Sequence, residues 1–293
     1  MKTNKPLASV IIPSYNCESY IEQTIKSVLN QSEQSLEILV IDDGSTDRTC
    51  EVTQSIDDKR IQLIRESHFG GPSKPRNIGL NAARGQYVFM FDSDDIMQSQ
   101  KVEKSIAAME QYPAAAFGFS NFKSIDETGQ TLKESYLEEY DTLFNLLSSR
   151  EDRVHCFDKE ELFRPLLKAN FIGTSSVVFN RQNLPINTAF NEQLKNSDDR
   201  LLWMQLARSC CSIFINESLH SYRIRENSIQ TNGGLRKLEN QLAAAELTLP
   251  LCSNKMEQEM LRERIQLFKS RLVKNYIKRA KLLKALKTQI FNR

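Results

Sequence analysis

Leu36 to Asp43 reads LEILVIDD, and Tyr87 to Asp95 reads YVFMFDSDD. Each is a short apolar run that ends on acidic residues. Runs of this length, the first broken only by Glu37, read as buried strands. Working outward, Ala8 to Ile12 (ASVII) is a β-branched strand, followed by a helix with Ile21, Ile25, Val28 and Leu29 on one face. Gly44-Ser45-Thr46-Asp47 has turn chemistry leading into a helix cap, and RIQLIR (60–65) is a third strand. Gly70-Gly71-Pro72 breaks the chain before a helix over Arg76 to Ala83. Strands alternating with helices predict parallel βαβ units, with ligands beyond the carboxyl ends of the strands. Polar residues gather at those ends: Pro13 to Asn16, then Asp42 and Asp43, then Asp92 to Asp95. The fold class is therefore α/β with a ligand-facing acidic edge.

After Asp95 the alternation weakens. Gln100 to Gln111 reads as a helix, Ala114 to Phe122 as a strand, and Ser124 to Gln130 as a turn between paired strands. Tyr136 to Asp158 carries no clear period, Phe171 to Asn180 reads as a strand, and Arg200 to Arg208 as a helix. The chain beyond Gly233-Gly234 is helical in propensity.

Of the 293 residues 40% are hydrophobic and 26% charged, the composition of a soluble globular protein and not of a disordered one. No apolar run approaches the roughly 20 residues of a membrane span, and Met1 to Leu7 carries no secretory pattern. Six cysteines without a CxxC pair exclude a disulfide scaffold and a thiolate zinc site, and point to a reducing cytoplasm. His68, His155 and His220 are scattered and make no metal site.

Asp92 and Asp94 stand two residues apart, a spacing that in an extended segment would point both to the same side. Oxygen-only ligands of this kind suit Mg²⁺ or Mn²⁺, which commonly take one or two carboxylates plus substrate phosphates. The plainer reading is a helix cap supplied by Asp95. Asp42-Asp43-Gly44 alone is an ordinary turn.

Together these blocks resemble a known family. SVIIPSYNCESYIEQTIKSVLNQS (9–32), EILVIDDGSTDRT (37–49) and PRNIGLNAARGQYVFMFDSDD (75–95) resemble the nucleotide-binding half of family 2 glycosyltransferases of the GT-A fold. The resemblance implies a Rossmann-like, mostly parallel sheet flanked by helices, with a C-terminal helical extension. It implies three parts: a nucleotide-sugar-binding half (1–95), an acceptor-binding half of the same domain (96–230) and a basic helical extension (231–293). Pro13, Ser14, Tyr15, Asn16 and Glu18 would line the nucleoside pocket, with Tyr15 stacking on the base. Asp43 would hydrogen-bond the base, usually uracil. Arg76 and Asn77 match a segment close to the nucleotide, and Lys74 would add a cation near the diphosphate. Asp92, with Ser93 beside it, would hold the ribose and Asp94 the Mn²⁺ or Mg²⁺ that bridges the diphosphate.

Transfer with inversion needs a carboxylate on the far side of the sugar to take the acceptor proton. Asn196 to Ala207 resembles the family's acidic pair followed by an apolar helix, which selects Asp199 as base with Asp198 beside it. The alternative is that both acids cap that helix, and both readings can hold together. Tyr222 to Ile229 (YRIRENSI) resembles a stretch that carries a histidine in many relatives. Here that position is Arg225, which cannot ligate a metal but can grip phosphate oxygens. Thr174, Ser175 and Ser176 match the acceptor side, yet polar residues alternating with apolar ones equally describe a half-exposed strand. Trp203 either floors the sugar site or is a buried helical tryptophan.

The formal charge of +2 hides an asymmetry. Leu261 to Arg293 carries 11 Lys or Arg against the single acid Glu263, so the rest of the chain has a net charge of −8. Leu261, Ile265, Phe268, Leu272, Tyr276, Leu283, Leu286 and Ile290 recur at mostly helical steps among these bases. Such a helix either lies on an anionic membrane surface or packs its apolar stripe on the body or on a second subunit, as in a homodimer. Nucleic acid is disfavoured, because aromatic interleaving is missing and the body is acidic. The first strand is followed by neither a phosphate-gripping glycine loop nor GxGxxG, which argues against a nucleotidyltransferase and a dehydrogenase. The expectation is a cytoplasmic, metal-assisted inverting transferase, peripheral on the inner face of the membrane where the basic helix binds it, using a nucleotide sugar (UDP) and a glycan or lipid-linked acceptor. The non-enzymatic alternative is a silent nucleotide-sugar-binding scaffold of the same fold.

Overall fold

Seven consecutive buried residues, Ala8–Ser14, form β1, which lies between β2 (Leu36–Asp42) and β4 (Tyr87–Met90). The computed structural model describes residues 5–226 and 234–291, with backbone alone from 279 onward. The first crossovers are α1 (Ile21–Leu29) and α2 (Thr49–Ser55), which leads to β3 (Ile61–Arg65), and α3 (Ser73–Ala82), which leads to β4. β1 to β4 run parallel in the order β3-β2-β1-β4. The period of two explains the packing. Val10 and Ile12 face one core with Ile21, Ile25 and Val28 of α1, while Ile11 faces the other. Over Ile11 sits Gly79 of α3, where any Cβ would lie 2.2 Å from the isoleucine Cγ2. This close approach sets the N-terminal turn of α3, with Arg76, above the strand ends.

The second half continues the sheet. β5 (Ile96–Met97), α4 (Lys101–Gln111), β6 (Ala115–Ile125), β7 (Thr131–Lys133), α5 (Asp141–Phe144), β8 (Val154–Phe157) and α6 (Phe163–Lys168) follow in turn. Next come β9 (Val177–Asn180), α7 (Asp198–Ser209) and β10 (Cys211–Arg223). β9 is antiparallel to both β4 and β6, and β10 runs parallel to β6, giving the order β4-β9-β6-β10-β5. The expected mostly parallel α/β sheet is what forms.

Three expectations shift. Phe171 to Asn180 is a strand only from Val177; Thr174–Ser176 is a buried 3₁₀ turn. The helix expected from Arg200 starts at Asp198, so both acids lie inside its first turn. Asp95 caps nothing, since α4 begins at Lys101 after Gln100.

After residue 233 come α8 (Gly234–Thr248) and α9 (Lys255–Phe291). Leu261, Ile265, Phe268 and Leu272 of α9 are buried against α8 and α6. Of the two readings of this helix, packing on the body holds for these turns, while Leu267, Val273, Tyr276 and Ile277 stay exposed. The side chains of Leu283, Leu286 and Ile290 lie outside the described residues. Among the described residues no helix is long and apolar enough to cross a membrane.

Candidate functional site

The loops after β1 and β2 are knitted to each other. Asn16 adopts φ 47°, a left-handed conformation that asparagine tolerates. Its Oδ1 accepts the Thr46 N–H at 2.8 Å, and its own N–H donates to Ser45 Oγ at 2.9 Å. Glu18 Oε2 accepts the Arg48 N–H at 2.8 Å, and the Glu18 N–H donates to Asp47 Oδ2 at 3.1 Å. Asp43 accepts the N–H groups of Phe69 at 2.8 Å and Gly70 at 3.0 Å, and its carbonyl accepts His68 Nδ1–H at 2.9 Å. This is possible because Gly44 (φ 73°) lets the His68 backbone approach to 2.7 Å from where a Cβ would stand. Tyr15 is 46% exposed and stacks on His68, ring centroids 4.3 Å apart. One of its faces is therefore already covered, by a histidine that the sequence left isolated.

Pro13 decides where the next loop leaves the sheet. The Phe91 N–H donates to Ile11 O at 2.9 Å. Continuation of that ladder would need an N–H from residue 13, which proline lacks. The chain turns away at Asp92. Thr24 Oγ1 holds the turn, donating to the carbonyls of Ser93 at 3.0 Å and Asp95 at 2.9 Å. The Asp92 N–H donates to Ser175 Oγ at 2.9 Å. Asp95 is fully buried and accepts the Arg223 N–H at 2.9 Å. Burial, with Asp94 and Asp92 close by, pushes its carboxyl well above the ordinary range. Asp94 is also raised by burial, against the pull of Arg225, whose Nη2 lies 2.7 Å from Asp94 Oδ2.

Arg76 joins this edge to the acidic pair. It is 5% exposed, with Nη2 at 3.0 Å from Asp92 Oδ1 and Nη1 at 3.0 Å from Asp198 Oδ2. Burial works against its charge, but the surrounding carboxylates outweigh that and raise its pKa. Asp198 and Asp199 open α7 after Ser197, which takes φ 62°, and no side chain caps the helix. The two acids sit inside the first turn and not at the cap position, where backbone N–H groups, that of Arg200 for Asp199, and the positive helix end favour their charged forms. Asp198 is raised mainly by burial, with Arg76 opposing. Burial first, and then Asp198, push the Asp199 carboxyl up to about 6.

The remaining candidates divide. Lys74 Nζ stands 4.0 Å from Glu66 at the rim. Asn77 Nδ2 donates to Phe190 O at 2.9 Å and so holds a loop. Thr174, Ser175 and Ser176 are buried, and the Ser175 hydroxyl is engaged by Asp92. Trp203 is wholly buried between Phe179 and Phe190, so of its two readings the core one applies and no face meets a sugar. His220 is buried and stacked on Phe122. The Asn227 to Ile229 end of the Arg225 stretch lies outside the described residues. Arg223 went unassigned in the sequence. Its Nε donates to Asp94 O at 2.9 Å and its Nη2 to Gln23 Oε1 at 2.8 Å, so it pins the acidic turn.

Among the described residues no three His, Cys, Asp or Glu side chains form a metal cage. Asp92 and Asp94 each pair one oxygen with a guanidinium and keep a second oxygen. This donor set fits a hard divalent ion held largely by substrate phosphates.

The family model described as Glycosyl transferase family 2 matches residues 9–169. The "Putative teichuronic acid biosynthesis glycosyltransferase TuaG" of Bacillus subtilis (strain 168) is 31% identical over 231 residues, covering 78% of this chain and 83% of that protein. The "UDP-Glc:alpha-D-GlcNAc-diphosphoundecaprenol beta-1,3-glucosyltransferase WfaP" of Escherichia coli is 29% identical over 227 residues, 77% of this chain and 80% of that protein. Among solved structures, the mannosyltransferase PcManGT from Pyrobaculum calidifontis, in complex with GDP-Man and Mn²⁺, superposes with TM-score 0.63 at 16% identity, covering 97% of this chain and 76% of that one. At that identity the likeness speaks to the fold, which is GT-A.

Proposed function

The chain belongs to glycosyltransferase family 2, and on that premise we propose that it moves a sugar, with inversion, from a UDP-linked donor to a hydroxyl of a glycan or lipid-linked acceptor. The observation that carries this reading is Arg76, whose two Nη atoms tie the donor-side Asp92 to Asp198, next to Asp199. The uridine lies along Pro13, Tyr15, Asn16, Glu18 and Asp43, and the ribose against Asp92 and Ser93. Lys74 lies toward the diphosphate. Asp94 and Asp92 would hold a Mg²⁺ or Mn²⁺ ion, which when bound supplies Lewis-acid stabilisation of the departing diphosphate.

Asp199 is the base, with Asp198 held beside it by Arg76. Its carboxylate takes the acceptor hydroxyl proton as the oxygen bonds to the anomeric carbon and the carbon–oxygen bond to the diphosphate breaks. A carboxyl raised to about 6 is suited to this, because it is ionised at neutral pH yet basic enough to accept the proton. Arg225, beside Asp94, places a guanidinium where charge grows on the leaving diphosphate.

The test is a nucleotide-sugar panel with Mg²⁺ or Mn²⁺, scoring thermal shift and slow donor hydrolysis. One UDP-sugar is expected to raise the unfolding midpoint and to be hydrolysed. Asp199→Asn should keep the nucleotide-induced shift and lose about 10²- to 10⁴-fold in transfer. Near-normal turnover of that variant defeats the assignment of the base.

The exposed Leu267, Val273, Tyr276 and Ile277, beside Lys269, Lys274 and Lys278, support a peripheral contact of α9 with an anionic membrane surface at the cytoplasmic face. Reversing Lys274 and Lys278 to Glu is expected to reduce flotation with phosphatidylglycerol vesicles, each lysine contributing about 1 kcal/mol near such a surface. Unchanged flotation removes this contact from the proposal.

A further inference from the structure

Behind Asp199, the start of α7, the 167–170 segment, α8 and α9 enclose a recess of about 90 Å³. Its polar lining includes Asn170, Ser197, Asp199, Arg200, Gln241 and Arg264. The two arginines come from different helices and converge on one end of α6. Arg200 Nη2 donates to Leu166 O at 2.8 Å, and Arg264 Nη1 donates to Leu167 O at 3.0 Å and Lys168 O at 2.9 Å. A helix C-terminus carries roughly half a negative charge at most, and α6 has only six residues. Two guanidiniums therefore exceed what that helix end neutralises by more than one unit of charge. Asp199, the sole carboxylate among the described lining residues, offsets one of those units and leaves a net positive charge of about half a unit. Arg264 Nε and Asn170 Oδ1 are both buried without a hydrogen-bond partner among the described residues. The recess thus combines surplus positive charge with an unused donor and an unused acceptor, immediately beside the proposed base.

We propose that this recess seats a phosphate group of the acceptor, gripped by Arg200 and Arg264, while the acceptor's sugar hydroxyl faces Asp199. The proposal rests on the reading of Asp199 as base and adds the chemical class of the acceptor. A water needs roughly 10–15 Å³ of such space, so the recess admits a group of several heavy atoms and no complete sugar ring. Guanidinium forks match phosphate oxygens, and an anion would offset the mutual repulsion of the pair. Burial, then Arg264, already pull the Arg200 guanidinium down to about 9. Asn170 Oδ1 is placed to accept a hydroxyl of the attached sugar. Seated in this way, the phosphate anchors the acceptor from behind and leaves the nucleophilic oxygen turned toward the donor.

The experiment compares acceptors that differ only in this group: a monosaccharide panel offered as neutral methyl glycosides, as sugar 1-phosphates and as alkyl-linked sugar diphosphates. With the wild-type chain and its donor, the phosphorylated forms are expected to be used at least 10-fold better in kcat/KM than the neutral ones. Activity with the soluble 1-phosphate identifies the phosphate itself as the recognised group; activity confined to the alkyl diphosphate identifies a lipid-carrier headgroup. Arg264→Gln should collapse the ratio of phosphorylated to neutral acceptor toward unity, mainly through acceptor KM. Should that variant not fold, inorganic phosphate serves with the wild-type chain: it is expected to inhibit competitively with acceptor. Inhibition competitive with donor alone, or equal use of neutral and phosphorylated acceptors, overturns the recess. Donor hydrolysis separates the two levels, because its absence with every nucleotide sugar defeats the transferase reading, whereas its presence with indifferent acceptors defeats only this one.

Discussion

The two sides of the candidate site are built on opposite plans. On the donor side, the loops after β1, β2 and β3 satisfy one another: Asn16 with Thr46, Glu18 with Arg48, and Asp43 with the Phe69 and Gly70 N–H groups. These bonds set the shape of a cleft. On the base side, charge is held away from its ordinary state. Asp199 sits at about 6, raised by burial and Asp198, while Arg264 Nε and Asn170 Oδ1 are buried and unmatched. The contrast separates recognition from reaction. A nucleotide is bound well by a surface that does not rearrange, while proton transfer needs a group poised between its two forms. Arg76, paired with both Asp92 and Asp198, belongs to both plans.

The comparison is broken most severely at Arg76. Arg76→Met would leave Asp198, 1% exposed, with its charge unpaired in the interior. Removing one partner of a buried pair typically costs about 3–5 kcal/mol. Urea unfolding should show that loss, together with loss of transfer, because Asp92 and Asp198 would no longer be tied. Arg76→Lys should recover only part of the stability, since one ammonium cannot reproduce the two-armed contact. A loss below about 1 kcal/mol for Arg76→Met would mean the two sides are coupled by something other than this ion pair.

The poise of Asp199 makes a prediction of opposite sign for stability and for rate. Its ordinary value is 3.8 and its folded value about 6, so the native state holds this proton more tightly than the unfolded chain. The associated stabilisation is complete below about pH 4 and is lost as pH rises through 6. Transfer, which needs the carboxylate, should instead fall about tenfold per pH unit below 6. Asp199→Asn removes both dependences. At pH 7.5 it should be more stable than the wild-type chain by up to about 3 kcal/mol, while remaining slow. Equal stability in guanidinium unfolding at that pH would place the carboxyl in water and not in a desolvated pocket.

What was legible followed from local rules. Apolar runs gave the strands, their alternation with helices gave the parallel order, and acids after the runs marked the strand ends. What was not legible depended on contacts between distant segments. Arg223 ends β10, and only the pairing of β10 with β6 and β5 carries it back beneath Asp94. Its one advance signal was a basic residue ending an otherwise core-facing strand. Ser175 read as part of a strand because VVFN follows it, yet a 3₁₀ turn places its hydroxyl at the Asp92 N–H. Arg200 of α7, Arg264 of α9 and Asn170 of the loop after α6 lie far apart in the chain, and no spacing in the sequence announces that they share a recess.

The smallest expected effect lies on the donor side and tests whether that side is as self-contained as its hydrogen bonds suggest. Asn16→Gly keeps the left-handed backbone and removes the Oδ1 that accepts the Thr46 N–H and, at 3.4 Å each, the Thr46 hydroxyl and the Asp47 N–H, a loss of about 0.5–1.5 kcal/mol. Asn16→Ala removes the same acceptor and adds a further ~1 kcal/mol of backbone strain. Because Glu18 holds the same two loops independently, the donor KM should change severalfold at most in either variant, with kcat nearly constant. If Asn16→Gly alone reduced kcat as strongly as Asp199→Asn does, the loops would have to move with the chemistry, and the division between a fixed donor side and a poised base side would fail.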